Sequence, residues 1–380
     1  VSRPRLVVAG LGDTGVLTAI ALRRHGDVVG ITAKPGFVSG QELGLRLARP
    51  EAWARDYRIG YDRFRGLDHA RVVHGSVSAL DTEARTVRIT RADGSAAEEP
   101  YDVLVIATGV ANGFWRRPTV QDTAGVDADI DSAHQRIAAA SSVVIVGGGA
   151  AASSSAAQIA ERWPTKKVDL YFPGERALPH HHRRVWQRVE ARLTRLGVGV
   201  HSGFRAELPS GDDAQQLTEA PVTWSTGQPP VVADVVIWAI GRVEPNTSWL
   251  PGEMLDARGF VAVQPTLRVV GHENVFAVGD VAATDPLRTS ARNRGHALVA
   301  RNVRAHLQGA SLRDYRSPAR RWGSVLGPQR DGLVVFAPTG HGVRVSAWAS
   351  DVVLQRLITR YGIYGGVRRT GDQVPSPFNL

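Results

Sequence analysis

The sequence predicts an α/β fold with two dinucleotide-binding domains and a small α+β C-terminal domain. Three observations carry this. A strand–turn–helix–strand unit opens the chain at residues 5–32, with the glycine pattern GLGDTG at its turn. A second unit of the same order runs from 143 to 172, with GGGAAA at its turn. After residue 316 the texture changes to short strands and one amphipathic segment with a basic tail. Two such units in one chain imply two Rossmann-like, three-layer ββα domains.

The elements follow in order. RLVVA (5–9) reads as a short buried strand, and the helix after the turn places Val16, Leu17, Ile20 and Ala21 at helical spacing. Gly26 is expected to stop that helix, and DVVGIT (27–32) reads as the second strand. The stretch from 71 to 109 reads as antiparallel strands turning at Asp93–Gly94 and ending in the apolar strand DVLVIA. VVIV (143–146), a helix stopped by Pro164, and KVDLYF (167–172) make the second unit. ADVVIWAIG (233–241) and NVFAVGD (274–280) read as strands, and a helix is expected from about 289 to 307. Residues 323–348 read as two or three strands, and 349–369 as a helix with a basic tail.

Composition excludes whole classes of chemistry. The 380 residues are 43% hydrophobic and 22% charged, a balance typical of globular domains. There is no cysteine, which removes a disulfide framework, a thiolate metal site, a cysteine nucleophile and a redox dithiol. Any electron transfer therefore needs a cofactor. The formal charge is +10, and only three of the 46 basic residues are lysine (Lys34, Lys166 and Lys167). That balance fits either an acidic partner or an arginine bias spread over the surface. With no run of five basic residues, nucleic acid is not an expected partner. No apolar run is long enough for a transmembrane helix, and the start of the chain reads as neither signal peptide nor myristoylation site. The expected location is cytoplasmic, with peripheral membrane contact open.

The first glycine set carries the strongest chemical signal. Gly10 makes the tight turn, Gly12 lets the backbone approach a pyrophosphate, and Gly15 lets helix and strand pack. The helix N-terminus beside Thr14 then favours an anion through its free N–H groups and its dipole. At the end of the second strand, where an acid usually grips a ribose, stands Thr32, followed by Ala33 and Lys34. A charge-assisted hydrogen bond is worth about 1.5–3 kcal/mol, so Thr32 or a backbone group must compensate for the missing acid.

In the second set Gly147 and Gly149 keep their roles while Ala152 replaces the third glycine. The strand end near Phe172 again lacks an acid, and Arg176, Arg183 and Arg184 follow. A missing carboxylate and nearby arginines favour NADPH over NADH, unless the arginines only reflect the general excess. His180, His181 and His182 are adjacent and cannot all face one ion; a loop or helix start near the nucleotide is expected, and no metal.

VVAGLGDTG, LVIATG (104–109), VVIVGGGAAAS, VVIWAIGRVEPNT and NVFAVGDVA stand in an order that resembles the two-dinucleotide-binding flavoproteins. The spacing is most similar to the branch holding type II NADH dehydrogenases and apoptosis-inducing-factor-like proteins. The segment ITAKPGFVSGQELGLRLARPEAW resembles ferroptosis suppressor protein-like members.

The resemblance implies FAD bound by residues 1–117 and 243–315, NADPH or NADH bound by 118–242, and a C-terminal domain at 316–380. Ala107, Thr108 and Gly109 would cross between domains, Asp280 after Gly279 would meet the ribityl chain, and Val77 and Gly241 would also line the cofactors. The helix near Ser290, Ala291 and Arg292 would aim at the flavin pyrimidine. Lys34 and Phe37 would lie near the isoalloxazine, unless Lys34 is an ordinary surface lysine. Two positions depart from the pattern: Thr32 lacks the ribose acid, and Ser154 stands where relatives often carry a glutamate close to the nicotinamide. Lys34 and Ser154 are the candidate catalytic residues.

The expected activity is FAD-dependent NAD(P)H oxidation, with a quinone-type small molecule as leading acceptor. Alternatives are reduction of an acidic iron–sulfur or other redox protein, a biosynthetic flavin oxidase or dehydrogenase with a decayed second site, and a non-enzymatic arginine-rich binding module. Val353, Leu357, Ile358 and Tyr361 share one face of the C-terminal helix. That face suits an anionic membrane, packing on its own domain, or the contact of a homodimer; a monomer is equally open.

Overall fold

The computed structural model describes residues 3–113, 117–209, 216–219, 221–241, 243–282, 284, 295–316 and 322–369. β1 (Arg5–Ala9), α1 (Asp13–Leu22) and β2 (Asp27–Thr32) form the first unit. The chain then makes β3 (Phe37–Val38), α2 (Leu43–Ala48), α3 (Pro50–Tyr57) and β4 (Arg58–Ile59) before the meander β5 (Ala70–Asp81), β6 (Thr86–Arg91) and β7 (Ala96–Pro100). Gly94, at φ +84°, sits in the turn expected at Asp93–Gly94. β8 (Val103–Ile106) returns to the centre of the sheet.

After β9 (Val110–Ala111), α4 (Thr123–Ala139) leads into the second unit of β10 (Ser142–Val146), α5 (Ala150–Arg162) and β11 (Lys167–Phe172). Its sheet is completed by β12 (Gly199–Ser202), which follows α6 (Arg183–Arg195), and by β13 (Val235–Trp238). β14 (Glu244–Pro245) pairs with β9, and β15 (Val275–Ala277) and α7 (Gly295–Leu307) rejoin the first unit. The hairpin β16 (Leu333–Phe336) and β17 (Gly342–Val345) comes last among the strands.

The seven-stranded sheet has the order β15-β8-β1-β2-β5-β6-β7, parallel from β15 to β5 and antiparallel beyond. The second sheet, β12-β11-β10-β13, is parallel throughout. Parallel strands lie covered on both faces, which is why β8 and β13 are buried along their whole length. One core joins α1 and α7 to the first sheet; another joins α4, α5 and α6 to the second and takes in Val325 and Phe336 from the C-terminal segment. α4 bridges the two, since Val126 and Ile130 pack with Leu45 and Trp53 while Ala133 and Ile137 enter the second core.

Two expectations change. The helix expected from about 289 begins at Gly295, and residues 289–294 lie outside the described ones. The C-terminal helix is one α-turn, Ala347–Ala349, running into a π-helix, Ser350–Ile363. Its apolar face does not pack on its own domain: Leu357 is 56% and Tyr361 63% exposed. No described helix is long and apolar enough to cross a membrane.

Candidate functional site

The two glycine turns are built alike. The Gly10 N–H donates to the Ile31 carbonyl at 2.9 Å, and the Gly147 N–H to the Tyr171 carbonyl at 2.8 Å. A Cβ on Gly10 would stand 2.5 Å from the Ala107 carbonyl oxygen, and one on Gly147 would stand 2.1 Å from that of Ala239. Both positions have positive φ, so glycine is required twice over. Gly12 and Gly149 precede α1 and α5 and face open space, which leaves each helix N-terminus accessible to an anion. Neither helix has a side-chain cap. A Cβ at Gly15 would lie 1.8 Å from the Gly10 carbonyl oxygen, while Ala152 is accommodated fully buried.

The first turn opens on a cavity of about 660 Å³, within the usual range of about 300–1,000 Å³ for small-molecule sites. It collects most of the expected residues of the first domain: Gly10, Gly12, Thr14, Thr32, Lys34, Val77, Ala107, Thr108, Gly109, Gly279 and Asp280 all line it. Gly15 stays behind the turn as a packing residue. The buried Thr14 Oγ1 has no partner within the protein, and Gly279 (φ +85°) comes close enough that a Cβ there would stand 3.0 Å from it. An orphaned hydroxyl at an open helix N-terminus, on a cavity of this size, fits a dinucleotide pyrophosphate. Ser290, Ala291 and Arg292 lie outside the described residues.

Thr32 does not replace the missing acid with a free hydroxyl. Its Oγ1 lies 3.0 Å from the Tyr61 hydroxyl and accepts from the Lys34 N–H at 3.2 Å. Tyr61 in turn donates to the Leu11 carbonyl at 3.0 Å, and its complete burial raises its pKa. Lys34 donates to the Thr119 carbonyl at 2.8 Å and to Gln121 Oε1. Burial lowers the Lys34 ammonium from 10.5 to about 8, against the opposing pull of Asp129. The structure groups Lys34 with Thr32 and Val77 beyond the end of β2, the strand end that reads the ribose in this fold. Phe37, expected beside it at the isoalloxazine, is corrected. Its ring is 1% exposed and packs edge-on against Phe64 and Tyr364, because the β3–β4 pair folds it into the core.

Ser154 and Lys34 are not brought together. Ser154 lies on α5, 5% exposed, and its hydroxyl donates to the Leu326 carbonyl at 3.2 Å. A Cβ on Gly44 would stand 2.5 Å from the Ser154 backbone, so α2 and α5 touch closely there. Ser154 is not among the residues lining the large cavity. The Arg176 guanidinium donates to the carbonyls of His181 and Pro179, both at 3.0 Å, and braces its own loop. That loop closes onto the second turn through the Leu178 N–H, which donates to the Gly148 carbonyl at 2.7 Å. Gly241, at φ +73°, sits past β13 with open space beside it. The His182 ring accepts from the Arg184 N–H at the start of α6, and burial lowers the His181 pKa.

Sequence reasoning missed two residues on the cavity wall. Asp13 accepts from Ser39 Oγ at 2.6 Å, from the Gly40 N–H at 3.0 Å and from Gln41 Nε2 at 3.0 Å, and so fixes the 39–41 loop over the turn. Arg46 lies 5.1 Å from the centre of the Trp53 ring, and burial lowers its pKa to about 10. The signal for Arg46 was a lone charge inside LGLRLA; Asp13 had none, because its partners come from a loop with no periodicity.

Residues 4–304 match the family described as pyridine nucleotide-disulphide oxidoreductase. The chain belongs to this family. Among curated relatives it is 29% identical to oxidoreductase ptaL of Pestalotiopsis fici, over 76% of this chain and 75% of the relative. It is 25% identical to the type II NADH:quinone oxidoreductase Ndh of Mycobacterium tuberculosis, over 81% of this chain and 74% of that one. Among solved structures it resembles the water-forming NADH oxidase of Lactobacillus brevis bound to NADH, with TM-score 0.64, 18% identity, and 88% and 75% of the two chains covered. The family's cofactors are FAD and NAD(P)H, and the two cradles fit them. The disulphide of the family's name has no counterpart, since this chain has no cysteine.

Proposed function

We propose that the protein is an FAD-dependent NAD(P)H oxidoreductase that passes reducing equivalents to a non-thiol acceptor, a quinone-type molecule first. The observation that carries this is the pair of matched glycine cradles, one opening on a cavity of about 660 Å³, in a chain without cysteine.

Bound FAD supplies the two-electron chemistry that no side chain here can perform. The chain's own part is to bind and orient. Gly12, Thr14 and the N-terminus of α1 would hold the pyrophosphate, Asp280 after Gly279 the ribityl chain, and Val77 with Lys34 the adenosine end. Gly147, Gly149 and the N-terminus of α5 would hold the nicotinamide nucleotide. Arg46 places positive charge on the cavity wall, which favours a reduced, anionic cofactor. This division of labour would set the domain limits at 117, 242 and 315.

The relative named as an NADH:quinone oxidoreductase supports the acceptor class. The exposed face of Leu357, Ile358 and Tyr361 supports peripheral contact with a membrane that carries such an acceptor. The formal charge of +10 favours a second reading, reduction of an acidic redox protein.

The test is anaerobic. The purified yellow protein is mixed with NADH or NADPH and then with a soluble quinone. Loss of the visible flavin band with one nucleotide, and its recovery with the quinone, is the expected result. A protein without flavin, or one reduced by neither nucleotide, overturns the reading. Recovery only with an acidic iron–sulfur protein selects the second.

A further inference from the structure

Away from the cradles, α6 and the β16–β17 hairpin enclose a cleft of about 260 Å³. Its floor is apolar, formed by Val189, Leu326, Val334 and Phe336. Four guanidiniums line it against a single carboxylate, that of Asp331. Arg192 is paired with Asp331 and with Glu161, each at 3.1 Å, and Arg344 with Asp331 at 2.9 Å. Arg188 and Arg195 are not. Arg188 donates to the Gly342 carbonyl at 3.0 Å and Arg195 to the Ala191 carbonyl at 3.2 Å, so each keeps its full charge beside the apolar floor. Positions 188, 192 and 195 are spaced i, i+4 and i+7, which sets all three on one face of α6.

We infer that this cleft binds a small apolar monocarboxylate, its chain on Val189, Val334 and Phe336 and its carboxylate between Arg188 and Arg195. An apolar floor with two uncompensated guanidiniums at the rim complements a molecule that is greasy at one end and singly anionic at the other. The volume lies below the range of about 300–1,000 Å³ common for small-molecule pockets, so a nucleotide is too large. The cleft shares Leu326 with the hydrogen bonds that tie the segment before the hairpin to α5, from Ser154 Oγ at 3.2 Å and Gln158 Nε2 at 3.0 Å. Occupancy would therefore bear on the helix behind the second cradle.

The probe is octanoate, titrated calorimetrically into the full-length protein, with 1-octanol as the uncharged control. Saturable binding of octanoate, at least about tenfold tighter than octanol, is expected from the charge-assisted contacts. R188A/R195A is expected to weaken it about tenfold while leaving octanol unchanged. A191W, which fills the cleft from an exposed position without altering charge, is expected to abolish it. No saturable heat, equal affinity for octanol, or binding that survives both variants overturns the assignment. Because the readout is heat of binding, the result is independent of any redox activity.

Discussion

The Ser154 hydroxyl donates to the Leu326 carbonyl at 3.2 Å, and Gln158 Nε2 donates to the same oxygen at 3.0 Å. The serine thus joins α5 to the C-terminal segment, and its acceptor keeps a partner if the hydroxyl is lost. Ser154→Ala is expected to cost about 0.5–1.5 kcal/mol in urea unfolding, the worth of one neutral hydrogen bond. Flavin reduction by NAD(P)H should stay within about twofold. Ser154→Glu, which buries a longer charged side chain against Gly44, is expected to cost more than the alanine variant. A large loss of reduction rate in Ser154→Ala with unchanged stability would return the hydroxyl to the chemistry.

Gly12 and Gly15 separate binding from folding. Gly12 has φ −76° and open space at its Cβ position, so alanine fits the fold there. That methyl group would occupy the close approach a pyrophosphate needs. Gly12→Ala is expected to melt like the parent while losing bound flavin, read by visible absorbance against protein. Gly15→Ala sets a Cβ 1.8 Å from the Gly10 carbonyl oxygen and must move backbone. It is expected to lose about 1–3 kcal/mol or more. Equal flavin retention in Gly12→Ala would remove the pyrophosphate from this turn.

The cradles were legible because glycine spacing between apolar strands is a local pattern: Gly10, Gly12, Gly147 and Gly149 announce their backbone needs within six residues of chain. The meander turn at Gly94 was legible for the same reason. What the pattern does not encode is long-range pairing. Phe37 sits in GFVS (36–39), too short a stretch to show strand periodicity, yet lies in the core, because Ile59, 22 positions on, pairs with it across β3 and β4. Lys34 bonds to Thr119 and Gln121, more than 80 residues away. The hairpin strands were readable from their β-branched residues; the π-helix was not, since Ser350–Ile363 carries the apolar spacing of an α-helix.

Glu161 ties three parts of the chain together. Its carboxylate, 7% exposed, meets Arg49 and Arg192, each at 3.1 Å, and accepts from the Arg330 N–H at 3.2 Å. Removing one member of a buried ion pair leaves uncompensated charge and typically costs about 3–5 kcal/mol. Glu161→Ala is expected near the lower end, since the two arginines keep some solvent contact, and Glu161→Gln to lose less because the amide oxygen still accepts. Urea midpoints of the parent and both variants decide it: a Glu161→Gln midpoint equal to the parent's would mean that the charge contributes nothing.

Lys34 should give stability a pH dependence of defined sign. Its ammonium titrates at about 8 in the folded protein, lowered first by burial and then by Arg46 and Arg117, against 10.5 for a free lysine. Between those values the unfolded chain binds more protons than the folded one, so this lysine's contribution to stability rises with pH. It is fully present above 10.5 and is lost as pH falls through 8. Lys34→Met removes the titration. The melting temperature of the parent minus that of Lys34→Met, both free of cofactor, is therefore expected to increase steadily from pH 7 to pH 10, an interval roughly spanning the shift. A flat difference would mean that Lys34 is solvated like a surface lysine, and a falling one that the carboxylate of Asp129 outweighs burial.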